Sequence, residues 1–129
     1  ANASAIGSTS LGNQSAASAL GSVALGQVSL ASGDNAVALG TESVASGLSA
    51  VAVGFQTVAS GTASTALGHN SDATALATTA VGVSAQATQN FATSLGRIAN
   101  ASAIGATALG NNAQASAANS VAIGQNSVA

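Results

Sequence analysis

The chain has 129 residues, and its only charged ones are Asp34, Glu42, Asp72 and Arg97. One arginine cannot form the basic surface that nucleic-acid binding requires, and a chain without cysteine has neither disulfides nor thiolate metal sites. No apolar run approaches the length of about 18 residues that a transmembrane helix needs. Abundant alanine, glycine and serine are compatible with disorder or silk-like aggregation, so the order of the residues has to decide the class.

Glycine recurs at intervals of 14 residues along the whole chain. The members of this series are Gly12, Gly26, Gly40, Gly54, Gly68, Gly82, Gly96, Gly110 and Gly124. With this glycine as position 14 of a repeat, position 13 is always Leu, Val or Ile, position 11 is always Val or Thr, and position 5 is always Ala. Self-similarity at one fixed period is typical of repeat proteins, so we interpret the chain as a repeat array.

Two short strands are predicted in each repeat, at positions 3 to 6 and 10 to 13. In chain order, the first four are residues 1–4, 8–11, 15–18 and 22–25. Positions 11 and 13 lie two apart, and a strand places such residues on one face whereas a helix points them away from each other. The recurring glycine would also cost about 1 kcal/mol each time in a helix. Turns are predicted at positions 14 to 2 and 7 to 9, and successive repeats are expected to stack in parallel at about 4.8 Å per coil.

The alternation of residues along each strand assigns the faces of this solenoid. Positions 3, 5, 10, 12 and 14 carry only small residues, which predicts a very thin roll with a largely alanine interior. Positions 11 and 13 then point outward and form an apolar stripe of a kind that soluble monomers rarely expose. The opposite assignment, with positions 11 and 13 inside and the alanines facing water, stays open. Threonine at position 11 from Thr65 to Thr107 predicts a more polar, less tightly held section.

The outward stripe predicts contact with partner chains. Its residues at the expected seam are Val23, Leu25, Val37, Leu39, Val51, Val53, Leu67, Val81, Leu95, Leu109, Val121 and Ile123.

A short motif connects this pattern with a known family. Residues 119–127 read NSVAIGQNS, and residues 35–43 read NAVALGTES. The first resembles, letter for letter, the NSVAIG-x-x-S repeat in the head domains of YadA-like trimeric autotransporter adhesins of Gram-negative bacteria, and the second is a close variant. Position 9 departs from the family pattern, because it is Asn only at Asn35 and Asn119.

The resemblance implies an all-β fold: a left-handed parallel β-roll solenoid of 14-residue repeats, assembled as a homotrimer. It also implies display on the extracellular side of the bacterial outer membrane, on a stalk, with adhesion to host cells or to extracellular matrix such as collagen. No membrane contact is expected for this segment itself. In the family, adhesion is attributed to the repeat motif, which makes the following residues a candidate ligand-binding motif: Asn35, Ser43, Asn119, Ser120, Val121, Ala122, Ile123, Gly124 and Ser127.

Residues 1–129 are expected to form one head domain. Because the chain starts and stops inside a repeat, we expect it to be a piece of a longer protein whose stalk and anchor lie elsewhere.

Other candidate sites are weak. His69 and Asp72 are close in sequence, but a solvated surface pair is a better interpretation than a catalytic dyad. The acidic residues and His69 lack any ligand spacing, so neither a metal nor another cofactor is expected, and we do not expect an enzyme. Phe55 and Phe91 are the only aromatic residues, and they either pack over a coil edge or anchor a partner.

A row of Ser or Thr at position 6 runs from Ser4 to Ser116. Hydrogen bonding between coils together with solubility explains it more simply than an array matched to a periodic ligand. Two alternatives to an adhesive head also stay open at this stage: a spacer that projects another binding domain, and a self-assembling fibre subunit.

Overall fold

The computed structural model describes residues 1–129 as two parallel sheets of nine strands each. We call the first the narrow sheet. Its strands are β1 (Asn2–Ala3), β3 (Ala16–Ala17), β5 (Leu30–Ala31), β7 (Val44–Ala45), β9 (Val58–Ala59), β11 (Asp72–Ala73), β13 (Gln86–Ala87), β15 (Asn100–Ala101) and β17 (Gln114–Ala115).

The second sheet is the wide sheet, and its strands have three residues each. They are β2 (Thr9–Leu11), β4 (Val23–Leu25), β6 (Val37–Leu39), β8 (Val51–Val53), β10 (Thr65–Leu67), β12 (Thr79–Val81), β14 (Thr93–Leu95), β16 (Thr107–Leu109) and β18 (Val121–Ile123). The chain alternates between the two sheets, so each 14-residue repeat makes one coil of a solenoid.

Every strand pairs with the equivalent strand of the next coil. In the wide sheet Thr65 pairs with Thr79 and Ala66 with Ala80, a register of 14 residues that all neighbouring strands share. The hydrogen bonding also continues through the turns, as when the Gly26 N–H donates to the Leu11 carbonyl at 2.9 Å. Because this ladder is unbroken, the coils form one continuous parallel stack, as the repeat predicts.

The interior of the roll is built almost entirely from alanine. The buried apolar core comprises 22 residues, and each of them is alanine. They come from positions 3, 5, 10 and 12, where the two sheets face each other. Methyl groups from both sheets fill most of this space, which holds no side chain larger than threonine. The predicted alanine interior is therefore confirmed.

Serine and threonine replace alanine at several interior positions, and their hydroxyl groups bond back to the preceding turn. The Ser43 hydroxyl donates to the Gly40 carbonyl at 2.9 Å, and the Thr78 hydroxyl donates to the Ala75 carbonyl at 2.8 Å. At position 12 the Ser94 hydroxyl crosses the interior to the Ala99 carbonyl at 2.8 Å. Only the buried Ser64 hydroxyl has no partner. These bonds keep buried polar groups satisfied inside a dry, thin roll.

Each coil turns at two left-handed residues, which stand at positions 2 and 9. Position 9 has a positive φ in every coil, including non-glycine cases such as Ala77 at 52° and Phe91 at 63°. Position 2 includes the β-branched Val28 and Ile98, both at 58°. The recurring glycine at position 14 also has a positive φ, 136° at Gly54, and in addition a Cβ on Gly54 would lie 2.6 Å from the Gly68 carbonyl oxygen. The tight coil spacing thus accounts for the 14-residue glycine series.

The observed strands lie within the predicted ones but are shorter. The sequence predicts four-residue strands at positions 3 to 6 and 10 to 13, whereas the structure has strands at positions 4 to 5 and 11 to 13. The left-handed residues at positions 2 and 9 directly precede positions 3 and 10, so the chain is still leaving the turn there.

Candidate functional site

The outer face of the wide sheet carries two parallel rows of side chains, from positions 11 and 13. Leu25, Leu39 and Val53 are half-buried by their neighbours above and below, whereas Leu67 and Leu95 are exposed. All twelve residues of the predicted seam lie on this face, and none belongs to the alanine core. The opposite assignment, with positions 11 and 13 filling the roll, is wrong because the sheets are too close together to hold Leu or Val between them.

The positions of the NSVAIG-x-x-S residues explain most of their identities. Asn119 occupies the left-handed turn at a φ of 58°, Ala122 is buried, and Val121 and Ile123 point outward from the wide sheet. Gly124 makes the next turn at a φ of 110°, and the Ser127 hydroxyl donates to its carbonyl at 2.9 Å. Four residues of the motif thus have a role in forming one coil, namely Asn119, Ala122, Gly124 and Ser127, whereas Val121 and Ile123 are presented outward.

The earlier copy of the motif is arranged in the same way. Asn35 is exposed at a left-handed turn, and Ser43 is buried with its hydroxyl bonded to the Gly40 carbonyl.

In the later copy of the motif, Ser120 is half-buried, and its hydroxyl donates to the Ala129 carbonyl at 3.4 Å. Among the candidate motif residues, the side chains exposed on this chain are therefore those of Asn35, Asn119, Val121 and Ile123.

The hydroxyl row at position 6 runs along the outer face beside the narrow sheet. Only two of its hydroxyls bond within the chain: Ser60 donates to the Thr74 carbonyl at 3.4 Å, and Ser116 donates to the Ala129 carbonyl at 3.3 Å. The other members of the row have no hydrogen-bond partner in the chain. Hydrogen bonding between coils therefore accounts for only two members of this row, whereas the solvent exposure of nearly all its hydroxyls agrees with a role in solubility.

His69 contacts Phe55 rather than Asp72. The two rings stack with centroids 5.4 Å apart and an interplanar angle of 11°, because both residues occupy position 1 in adjacent coils. Phe55 therefore packs along the coil edge, one of its two expected roles. Asp72 lies in β11 on the narrow sheet, where partial burial raises the pKa of its carboxyl group. The sequence analysis did not predict the Phe55–His69 pair, although their shared position 1 is a signal that could have revealed it.

One exposed apolar feature escaped the sequence analysis. Position 8, in the turn before each wide-sheet strand, carries exposed Leu or Ile in five coils: Ile6, Leu20, Leu48, Leu76 and Ile104. These residues lie in a turn rather than in a strand, so the alternation rule that identified positions 11 and 13 does not apply to them.

The structure contains no pocket and no group of three or more potential metal ligands. No helix in it is long and apolar enough to cross a membrane. The candidate functional features are therefore extended surfaces: the aliphatic face of the wide sheet, the hydroxyl row and the row at position 8.

A comparison with protein families decides the class to which these coils belong. The model of the YadA head domain repeat, which spans two copies of the repeat, matches the chain at residues 3–29, 17–43, 31–57, 45–71, 59–78, 73–97 and 101–127. The chain belongs to the YadA head domain repeat family. Successive matches begin 14 residues apart up to residue 73, which is the coil length of the structure. No curated protein matches the chain.

Family membership confirms the resemblance drawn from the NSVAIG-x-x-S motif. YadA head repeats indicate an adhesin-like domain of the trimeric autotransporter type, a family of extracellular surface proteins. Both the family and the β-solenoid fold are non-enzymatic in kind.

Proposed function

We propose that the chain is a head-domain segment of a bacterial surface adhesin, assembled as a homotrimer that attaches to host cells or extracellular matrix. The observation that carries this proposal is the aliphatic face that the wide sheet presents along nearly the whole length of a YadA head array. A single coil stack has no means of covering this face, because its interior accepts only small residues.

The proposed trimer packs three wide-sheet faces around one axis as left-handed rolls. The seam consists of Val23, Leu25, Val37, Leu39, Val51, Val53, Leu67, Val81, Leu95, Leu109, Val121 and Ile123. Burial of each such side chain contributes about 1.5–3 kcal/mol before entropy is subtracted. These residues come from eight coils, with one or two in each, and together they give a substantial driving force for assembly.

The narrow sheet then faces outward in all three subunits, and we assign host contact to this side. Its hydroxyl row repeats at about 4.8 Å, the spacing of parallel strands. A periodic ligand such as a collagen-like fibre meets many equivalent weak contacts there, and three identical faces multiply them by avidity. Of the motif residues, Asn35 and Asn119 stay exposed in their turns on each chain, whereas Val121 and Ile123 join the seam.

We place this domain, residues 1–129, on the extracellular side of the outer membrane of a Gram-negative cell. No catalysis is expected of it, since binding through repeated surfaces requires no titratable pair.

Ligand binding by the isolated chain tests the adhesive role. Immobilised collagen, fibronectin and laminin are each probed with micromolar chain, and we expect saturable binding to at least one of them. The variant Ser32→Asp/Ser46→Asp/Ser60→Asp places charges along the outward hydroxyl row and should abolish that binding without changing the oligomer mass. A matched control, Asn13→Asp/Thr41→Asp/Asn111→Asp, adds the same charge at position 1 on the coil edge and should retain binding.

Two outcomes would contradict the adhesive role. Failure of the unaltered trimer to bind any of the three ligands at micromolar concentration favours a spacer that projects another domain. Concentration-dependent filaments in place of a single species favour a fibre subunit.

A further inference from the structure

The exposed residues at position 8 form a row with a period of two coils. We call the set Leu20, Asp34, Leu48, Thr62, Leu76, Asn90 and Ile104 the turn row. Its aliphatic members are strongly exposed: Leu20 by 51%, Leu48 by 50%, Leu76 by 42% and Ile104 by 54%. They recur every 28 residues, so that large apolar side chains stand about 9.6 Å apart along the rod, twice the strand spacing.

Two of the polar members between them fold back onto the chain. The Leu20 N–H donates to the Asp34 carboxylate at 3.2 Å, and the Leu76 N–H donates to the Asn90 side-chain oxygen at 3.2 Å. Each of these side chains therefore lies against the backbone of the preceding coil. Thr62, the third polar member, is short. The turn row thus alternates between large aliphatic residues and smaller polar ones, all of them exposed.

Position 13 on the wide sheet shows the opposite alternation in the same coils. Where the turn row has Leu48 and Leu76, position 13 has the smaller Val53 and Val81. Where the turn row has a smaller polar residue, position 13 has leucine, and the three such leucines are Leu39, Leu67 and Leu95. This exchange of size holds through five successive coils; in the flanking coils of Leu20 and Ile104 both positions are large.

Contact within one chain does not explain the exchange. Position 8 lies in the turn before the wide-sheet strand, and position 13 is the last residue of that strand. Positions 10 to 13 alone span about 10 Å of extended chain, so the two side chains stand at opposite edges of the wide sheet. Half of the Leu48 side-chain surface is also free of contact within the chain, with an exposure of 50%.

We propose that the turn row of one chain packs against position 13 of a second copy of the chain at the same coil level. This inference rests on the homotrimer proposed above and adds which edges meet. One edge of each wide sheet contacts the opposite edge of the next subunit, a heterologous contact that closes into a ring under three-fold symmetry.

The size exchange then fixes the register between subunits. Rods related by a three-fold axis along their length keep equivalent coils at one height, which places Leu48 against Val53 and Thr62 against Leu67. A shift by one coil would place Leu48 against Leu39 or Leu67 and leave Thr62 facing Val53 or Val81. Large side chains would then collide and small ones would leave voids, both of which destabilise a packed interface.

Disulfide trapping tests this pairing, because the chain has no cysteine of its own. The variant Leu48→Cys/Val53→Cys is oxidised mildly and run on a non-reducing denaturing gel. We expect covalent dimers and trimers, since a disulfide needs Cα atoms about 4.4–6.8 Å apart. Leu48→Cys/Leu67→Cys, one coil out of register, should cross-link at least about tenfold more slowly, and Leu48→Cys/Leu95→Cys, three coils away, should remain monomeric.

The sedimentation mass of each reduced variant separates the two proposals. A trimer whose same-level pair fails to cross-link, or cross-links no faster than the one-coil pair, overturns the edge contact and leaves the trimer standing. A monomeric mass for the unaltered chain overturns the trimer itself.

A volume exchange gives an independent readout. Thr62→Leu adds bulk opposite Leu67 and should weaken assembly by about tenfold, the usual scale of overpacking. The double variant Thr62→Leu/Leu67→Val should assemble with an affinity within about threefold of that of the unaltered chain. The matched double variant Thr62→Leu/Leu95→Val should not recover. If Leu67→Val and Leu95→Val had equal effects on the assembly of the Thr62→Leu variant, the contact between Thr62 and Leu67 would be contradicted.

Discussion

The coils at residues 22–59 and those at residues 64–115 share one fold but present different surfaces. We call the first the valine coils and the second the threonine coils, after position 11. The valine coils carry Val23, Val37 and Val51 on the wide sheet, and Leu30, Val44 and Val58 on the narrow sheet. The threonine coils carry Thr65, Thr79, Thr93 and Thr107 on the wide sheet, and Asp72, Gln86, Asn100 and Gln114 on the narrow sheet.

The strand register does not change across this boundary, and the interior keeps only small side chains. Val51 pairs with Thr65 in the same parallel register as every other coil, and buried alanines continue on both sides. The comparison teaches that the inner positions and the turns fix the roll, while the outer positions are free to set how strongly each section associates. A single solenoid can therefore have sections of different assembly strength without any change of backbone.

Aspartate substitutions on the wide sheet should show the largest difference in trimer stability between the valine coils and the threonine coils. Leu39→Asp removes a half-buried residue in the apolar surroundings of the valine coils, and we expect it to weaken the trimer by about 3 kcal/mol per chain. Leu67→Asp in the threonine coils should cost about 2 kcal/mol. Together they should dissociate the assembly, as measured by sedimentation equilibrium. Ser46→Asp, on the outward hydroxyl row, is the control and should leave the mass unchanged. Continued assembly of the double variant would refute the face assignment.

Exchanging valine and threonine should shift association in opposite directions. Val37→Thr introduces a hydroxyl into the apolar seam and should weaken the trimer by about 1 kcal/mol, and Thr79→Val should strengthen it by a similar amount. The dissociation midpoint in denaturant measures both. If neither variant changes the dissociation midpoint of the unaltered chain, position 11 does not contribute to the difference in association strength between the valine coils and the threonine coils.

The left-handed turns of the threonine coils offer a stabilising change. Ala77 has a φ of 52°, a conformation that glycine adopts without steric cost. Ala77→Gly should therefore raise the free energy of unfolding by up to about 1 kcal/mol. The matched Ala73→Gly, in strand β11, should lower it by about 0.5–1 kcal/mol. Equal destabilisation by both variants in thermal unfolding would argue against the left-handed turn.

The smallest effect concerns the pH dependence of the threonine coils. Burial raises the pKa of the Asp72 carboxyl above its unfolded value, so the folded state binds a proton more readily than the unfolded state. Stability should therefore fall slightly as pH rises from the ordinary aspartate pKa through the raised one. Asp72→Asn should remove this slope of the thermal midpoint at pH values above the ordinary aspartate pKa. An unchanged slope in the variant would assign the dependence to other groups.

Much of this fold could be predicted because one period controls it. The alanine positions, the outward direction of positions 11 and 13 and the two turns all follow from alternation within a 14-residue coil. Gln89, the one long side chain among small residues at position 7, is exposed in a turn. These features depend only on side-chain size and strand geometry, which a repeat presents many times over.

Other features could not be read from the residues. Val28 and Ile98 have left-handed backbone conformations, which β-branched residues rarely adopt. The register of the coil imposes this conformation on them. The side chains of Asp34 and Asn90 fold back to bond N–H groups one coil away, a contact that requires the stacking to be known first. The aliphatic members of the turn row were overlooked because turns carry no alternation signal.

The account depends on the claim that such a thin roll cannot cover its own aliphatic residues. Sedimentation equilibrium of the unaltered chain, over a hundredfold range of concentration, tests this claim most directly. We predict one species with three times the 11.8 kDa mass of a single chain. A folded species of 11.8 kDa with the circular dichroism spectrum of a β-solenoid would contradict it.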